Sequence, residues 1–115
     1  MDIGICMDAG TLESKLESRY TKKPEEAWNL AKWPRGFSDD PTVKNRLFVA
    51  CDGYWLGYFH ISPDMLYMPE DPKTPYVLLF DTQTWTPITR LKAKRFRGFT
   101  YKVPREVSGE WLQPE

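Results

Sequence analysis

The sequence predicts an α+β domain: a small, mainly antiparallel β-barrel, or a sheet with helices on one side, carrying one or two short helices after its first strand. Three observations predict it. Residues 46–61 read as a β-hairpin, because Asp52-Gly53 offers the two positive-φ residues of a tight type I′ turn between aromatic and aliphatic runs. Both faces of that hairpin are apolar, so both must be covered. The order along the chain is a strand, helical signals, the hairpin, then more strands.

Taken in order, residues 3–7 alternate weakly and form a first strand, which Ala9-Gly10 breaks. Thr11 is placed to cap a helix over 12–20, where Leu12, Leu16 and Tyr20 recur at four-residue spacing. A second helix is expected over 24–33. Pro24 suits its first position, Glu25 and Glu26 complement the positive end of the dipole, and Ala27, Trp28, Leu30 and Ala31 give it an apolar side. Pro34 stops it.

The hairpin register follows from a two-residue loop: Cys51 faces Tyr54, Ala50 faces Trp55, Val49 faces Leu56, Phe48 faces Gly57 and Leu47 faces Tyr58. One face then carries Leu47, Val49, Tyr54, Leu56 and Tyr58, and the other Phe48, Ala50, Trp55, Phe59 and Ile61. Phe48 opposite Gly57 reads as an aromatic ring over a bare glycine, a device of bent sheets. Residues 62–74 form a long connection with three prolines, in which 64–68 is one helical turn or a short edge segment. Residues 75–81 are a buried strand, which 82–88 continues after a turn with Trp85 and Ile88 as anchors. Residues 97–103 alternate as a last strand that Pro104 ends, and Trp111 packs back on the body.

Composition bounds the rest. The 115 residues make one domain, 1–115, without repeat or linker. Sixteen basic and sixteen acidic residues cancel, so no net field draws the chain to nucleic acid or membrane. The charge is uneven, however. Residues 62–83 are mostly acidic, while every charge from 90 to 105 is positive. Cys6 and Cys51 lack zinc-site spacing and read as reduced thiols, so no metal and no cofactor is expected. The single histidine, His60, reads as structural or surface. The N-terminus lacks a basic lead and a long apolar core, and no apolar run approaches the ~20 residues of a membrane helix. A cytoplasmic protein without membrane contact is the expectation.

Enzyme signatures are absent: no G-x-S-x-G elbow, phosphate loop, dinucleotide fingerprint or H-E-x-x-H helix occurs. The pairs Asp39-Asp40 and Glu70-Asp71 sit in polar loops, without the apolar neighbours that raise a catalytic carboxyl pKa. No catalytic residue is assigned. The segment 94–102 interleaves basic and aromatic residues, the pattern that holds phosphates while rings stack on bases. It matches part of the RNA-recognition-motif signature, but Thr100 and Lys102 break the match and the βαββαβ order is missing. The alternative is an edge strand with a basic side toward water.

A second segment, Trp33-Pro34-Arg35-Gly36-Phe37, is a loop with aromatics and an arginine. It leads into Lys44-Asn45-Arg46-Leu47-Phe48 and then Trp55-Leu56-Gly57-Tyr58-Phe59-His60-Ile61. This layout resembles the PUA-like superfamily, which includes the ASCH and EVE domains, over about half the chain. The resemblance implies a small β-barrel that binds RNA or a modified nucleotide in a cleft between the first helical region and the barrel. Of the G-x-K-x-x-E-x-R motif common in ASCH domains, the E-x-R part matches Glu17 and Arg19, while the spacings from Gly10 to Lys15 and from Lys15 to Glu17 depart.

On this reading Arg19, Arg35, Lys94, Arg95 and Arg97 meet phosphates, and Trp33, Phe37 and Trp55 stack on bases. A protein-interaction module, such as a small phage or accessory protein docking through the acidic, proline-rich 63–75 loop, is the alternative. An ASCH-type nucleoside amidohydrolase, with Lys15 and Lys22 as the residues to test, is the third reading. Oligomeric state is open.

Overall fold

In the computed structural model, which describes residues 1–114, Asp52 and Gly53 turn the chain with φ of 51° and 82°. That is the left-handed pair a type I′ turn requires. In chain order the elements are β1 (Asp2–Cys6), α1 (Ala9–Glu17), a 3₁₀ turn (Ser18–Tyr20), β2 (Glu25–Leu30), β3 (Asn45–Cys51) and β4 (Tyr54–Ile61). Then follow β5 (Leu66–Tyr67), β6 (Tyr76–Lys92), β7 (Phe99–Thr100), β8 (Arg105–Val107) and β9 (Glu110–Leu112). Seven strands form one sheet in the order β2-β6-β4-β3-β1-β7, with β5 also on β6. Pairing is antiparallel except between β1 and β3.

The sheet curls into a half-barrel. Its 17-residue strand β6 makes the bend. The first part pairs with β2, from Glu25 opposite Asp81 to Leu30 opposite Tyr76. Along β4 the register jumps between Tyr58 opposite Thr86 and His60 opposite Asp81, leaving extra residues on β6. These stay ordered through local bonds: the Gln83 N–H donates to Asp81 Oδ1 at 2.9 Å, and the His60 N–H donates to Thr84 Oγ1 at 2.8 Å. The expected continuation of strand 75–81 into 82–88 is therefore present as a bulged bend rather than a turn.

Both faces of the hairpin are covered, as its apolar alternation requires. One side joins Leu47, Val49, Phe59, Ile61, Leu78 and Phe80 with Ile3 and Ile5 of β1, and Leu12 of α1 lids it. The other side is Phe48, Ala50 and Trp55, packed by Phe96, Val103 and Trp111. Fully burying each of these large side chains contributes about 1.5–3 kcal/mol.

Four expectations are corrected. Residues 24–33 are not a helix, because Glu26, Trp28 and Leu30 alternate inward along β2 and pair with β6. Pairing and burial of Trp28 and Leu30 outweigh the helix-start signals of Pro24 and Glu25. The first helix starts earlier, at Ala9, and its cap is Asp8, whose Oδ1 accepts from the Thr11 N–H at 2.7 Å. That bond holds the Asp8 carboxyl below its ordinary pKa.

The hairpin register also slips. Beyond Ala50 opposite Trp55, a bulge puts Val49 opposite Gly57, Phe48 opposite Tyr58 and Leu47 opposite Phe59. Tyr58 therefore shares a face with Phe48, and Phe59 with Leu47. The ring over Gly57 is Trp85, not Phe48. Finally, only Phe99–Thr100 of the expected last strand pairs, with β1, and a separate hairpin β8–β9 follows, turned by Ser108-Gly109 with φ of 52° and 81°. Trp111 docks on Phe48 and Tyr58 as expected.

No helix among the described residues is long and apolar enough to cross a membrane. Among them, no group of three or more His, Cys, Asp or Glu is placed to hold a metal.

Candidate ligand-binding groove at the two sheet edges

The strand order leaves β2 and β7 at opposite ends of the sheet. Curling brings those ends to one groove of about 650 Å³, lined by Trp28 and Leu30 of β2, Lys32, Trp33 and Arg35 after it, and Arg97, Phe99 and Tyr101 around β7. Among the described residues no carboxylate lines it. Lys32, Arg35 and Arg97 are exposed and make no salt bridge among the described residues. The groove is thus locally cationic on a chain whose charges cancel, with aromatic walls.

Local sequence explains how the side chains are presented. Pro34 is sealed in the interior, and its carbonyl accepts from the Phe37 N–H at 3.4 Å. The neighbours of this anchor, Trp33 and Arg35, face outward. Trp33 is 48% exposed and is buttressed edge-on by Phe37 (5.4 Å between centroids) and Tyr76 (5.7 Å). The Arg35 N–H donates to the Tyr101 phenol oxygen at 2.8 Å, and its guanidinium lies 4.5 Å from that ring's centroid. Phe99 meets Tyr101 edge to face. Gly98, at φ 64°, turns the chain between Arg97 and Phe99.

Of the eight residues expected to bind, Trp33, Arg35 and Arg97 come together here, and Phe37 supports Trp33 from behind. The other four do not join them. Trp55 is 1% exposed: it stacks on Phe96 at 5.7 Å and lies over Gly4 of β1, where any side chain would overlap it. It therefore offers no stacking surface, and its indole N–H is buried without a partner among the described residues. Lys94 and Arg95 border a separate cleft of about 310 Å³ beside the hairpin turn, with Cys6 and Asp52. Arg19 borders a third, of about 560 Å³, under α1, where its guanidinium donates to the Tyr20 hydroxyl at 2.7 Å.

Trp28 and Lys32 were hidden by the helical reading of their segment; the period-2 pattern Glu26, Trp28, Leu30 was the signal for them. Phe99 and Tyr101 lay in the basic-aromatic strip already noted. Of the lysines considered for catalysis, Lys15 is paired with Glu26 at 3.3 Å and donates to the Ala27 carbonyl, while Lys22 is exposed. Cys51 is buried and Cys6 is exposed; desolvation, only partial at Cys6, raises both thiols above the ordinary cysteine value, so both favour the protonated, poorly nucleophilic form.

Comparison of the chain with protein-family models, with curated proteins and with solved structures returns no match.

Proposed function

We propose that this chain is a non-catalytic, cytoplasmic binding domain for RNA or a modified nucleotide, and that the groove between β2 and β7 is its site. One observation carries the reading: three cations without a salt bridge among the described residues, Lys32, Arg35 and Arg97, share an aromatic-walled groove that no described carboxylate lines. Cations hold phosphates, and exposed rings stack on bases whatever their sequence. The edge-on contacts of Trp33 leave it held but open, so a base that stacks on it meets little loss of side-chain freedom. A helix following the first strand, on a curled sheet, is compatible with the PUA-like barrel that the motif layout resembles.

The test is fluorescence anisotropy with short single-stranded RNA pools and free nucleotides across a salt series. Expected are binding that weakens steeply with salt, and a fall of tenfold or more for Arg35→Glu or Arg97→Glu. Each loss should flatten the log–log salt slope by about 0.7 per phosphate contact on a single strand. Lys94→Glu with Arg95→Glu, outside the groove, should matter much less. No binding by the unmodified protein at low salt refutes the proposal.

A protein-docking reading has its own observation. Leu66, Tyr67 (61% exposed) and Met68 form an apolar surface at the short strand β5, and Tyr67 contacts Tyr76, which in turn contacts Trp33. If Tyr67→Ser leaves RNA binding intact while removing capture of a protein partner, that reading gains and the groove reading is unaffected.

A further inference from the structure

We infer that the chain has a second, smaller site: an oxyanion pocket for a phosphate monoester, formed by Lys44, Arg46, Tyr58 and His60 where β3 begins and β4 ends. This inference stands apart from the groove and does not depend on it. Arg46 and His60 are direct cross-strand partners, and the pocket between them and Lys44 measures about 390 Å³.

Arg46 is set in place before any ligand arrives. Its Nε and Nη2 donate to the two oxygens of Asp2 at 2.9 and 2.7 Å. Its guanidinium lies 5.1 Å from the Tyr58 centroid, 5.3 Å from Phe48 and 5.8 Å from Trp111. Asp2 occupies one edge of the fork, and Nη1 takes no part in those bonds. A guanidinium so fixed loses little freedom when it binds a second oxyanion.

His60 is the other half. Its ring stacks on Tyr58 at 5.8 Å, and its backbone N–H is taken by Thr84. Neither imidazole nitrogen, nor Lys44 Nζ, has a hydrogen-bond partner among the described residues. Met1, Asp2, Lys44 and Arg46 line the pocket with the imidazole, and Asp81 is its cross-strand partner on β6; of these, Lys44 and Arg46 disfavour the imidazolium and Asp81 favours it. Burial and the two cations hold its pKa below the ordinary histidine value, with Asp81 opposing.

The pocket thus brings together the Lys44 ammonium, a guanidinium bonded to the Asp2 carboxylate on one edge, and an imidazole that resists protonation chiefly because it is partly buried and then because Lys44 and Arg46 are positive. A phosphate monoester brings up to two negative charges and three acceptor oxygens. It would accept from Lys44, from the guanidinium nitrogen that Asp2 leaves unused beside the Tyr58 phenol, and from a protonated His60. A single carboxylate brings half that charge and fewer acceptors.

His60 is the chain's one histidine, so its ring signal in an NMR titration is unambiguous. The experiment titrates it in chloride, in inorganic phosphate at matched ionic strength, and in a nucleoside 5′-monophosphate. Saturating phosphate should raise the His60 pKa by roughly one pH unit, which is ~10-fold tighter binding to the imidazolium form. Lys44→Gln, on an exposed side chain that folding does not need, should remove most of that rise while the rest of the spectrum stays native. A rise with both phosphates identifies the terminal phosphate as the ligand. A rise with the nucleotide alone identifies a nucleotide as the source. If the pKa moves no more in either phosphate than in chloride, or moves equally in Lys44→Gln, the site does not exist.

Discussion

Arg35 and Tyr101 are joined twice across 66 residues of sequence: the Arg35 backbone N–H donates to the phenol oxygen, and the Arg35 guanidinium covers the phenol ring. The pair ties the loop after β2 to the chain after β7, the two ends of the sheet that border the groove. A cation–π contact at an exposed site contributes about 0.5–1 kcal/mol. The bond to the phenol adds about as much.

The two links separate by mutation. Tyr101→Phe keeps the ring and loses the acceptor, so it should lower stability by about 1 kcal/mol or less and leave stacking nearly intact. Tyr101→Ala removes a groove wall as well. If a base stacks there, affinity should fall by about 1–3 kcal/mol. Thermal melts and RNA anisotropy on the two variants check this; equal affinity for both would show that no ligand touches Tyr101.

Two glycines of the central hairpin are needed for different reasons, and alanine at each should separate them. At Gly53 the backbone sits at φ 82° with open space around it, so Gly53→Ala strains only the turn, by about 1–2 kcal/mol. At Gly57 a Cβ would lie 2.5 Å from the Thr86 carbonyl oxygen and 2.7 Å from the Trp85 ring. Gly57→Ala must part β4 from β6, and its cost should reach the upper part of the ~1–3 kcal/mol range for overpacking, or exceed it. Urea midpoints should rank Gly53→Ala above Gly57→Ala. The reverse order would show that the β4–β6 bend yields easily.

The same positions explain what the sequence made legible. Turn chemistry is local: Asp52-Gly53 declares its conformation in two residues, so the hairpin could be placed from the chain alone. A bulge is not local. Gly57 was recognised as a bare position under an aromatic ring, but which ring covers it depends on β6, almost thirty residues away. β2 was misread because Pro24, Glu25 and Glu26 begin a good helix, and only pairing with β6 makes Glu25–Leu30 a strand. For the site, the Trp33-Pro34-Arg35 loop and Arg97 were legible as exposed cations beside rings. Their separation from Lys94 and Arg95 was not, because it follows from the course of the chain up to Gly98. Trp55 looked like a stacking surface because composition shows a ring and not the Gly4 and Phe96 that enclose it.

The β8–β9 hairpin is outside the main sheet, and Trp111 is its anchor on Phe48, Tyr58 and Arg46. The ring is only half-buried, so Trp111→Ala should cost less than a full core truncation, about 1–3 kcal/mol. Arg46 would lose one wall of its surround and keep Asp2. Hydrogen exchange should then show protection lost across 105–112, while β3 and β4 stay protected. Loss of protection throughout the sheet would mean that this hairpin folds with the core and does not merely dock on it.

His60 also makes a prediction about acid stability. In the folded chain its pKa lies below the ordinary value of 6.5, chiefly from burial and then from Lys44 and Arg46. Between the two values the unfolded chain binds the proton more readily. Stability is therefore fully present above about pH 6.5, falls as pH drops toward the folded value, and levels off below it. Asp8 and Asp40 act in a separate, lower window, because backbone N–H donors hold both carboxyls below the ordinary 3.8. Their contribution is lost only as pH falls through that range. Urea midpoints measured without phosphate should thus decline in two steps. His60→Gln should abolish the upper step and leave the lower one. If the His60→Gln protein keeps an unchanged slope just below pH 6.5, burial of the imidazole is not what sets that step, and the positive surroundings assigned to His60 are wrong.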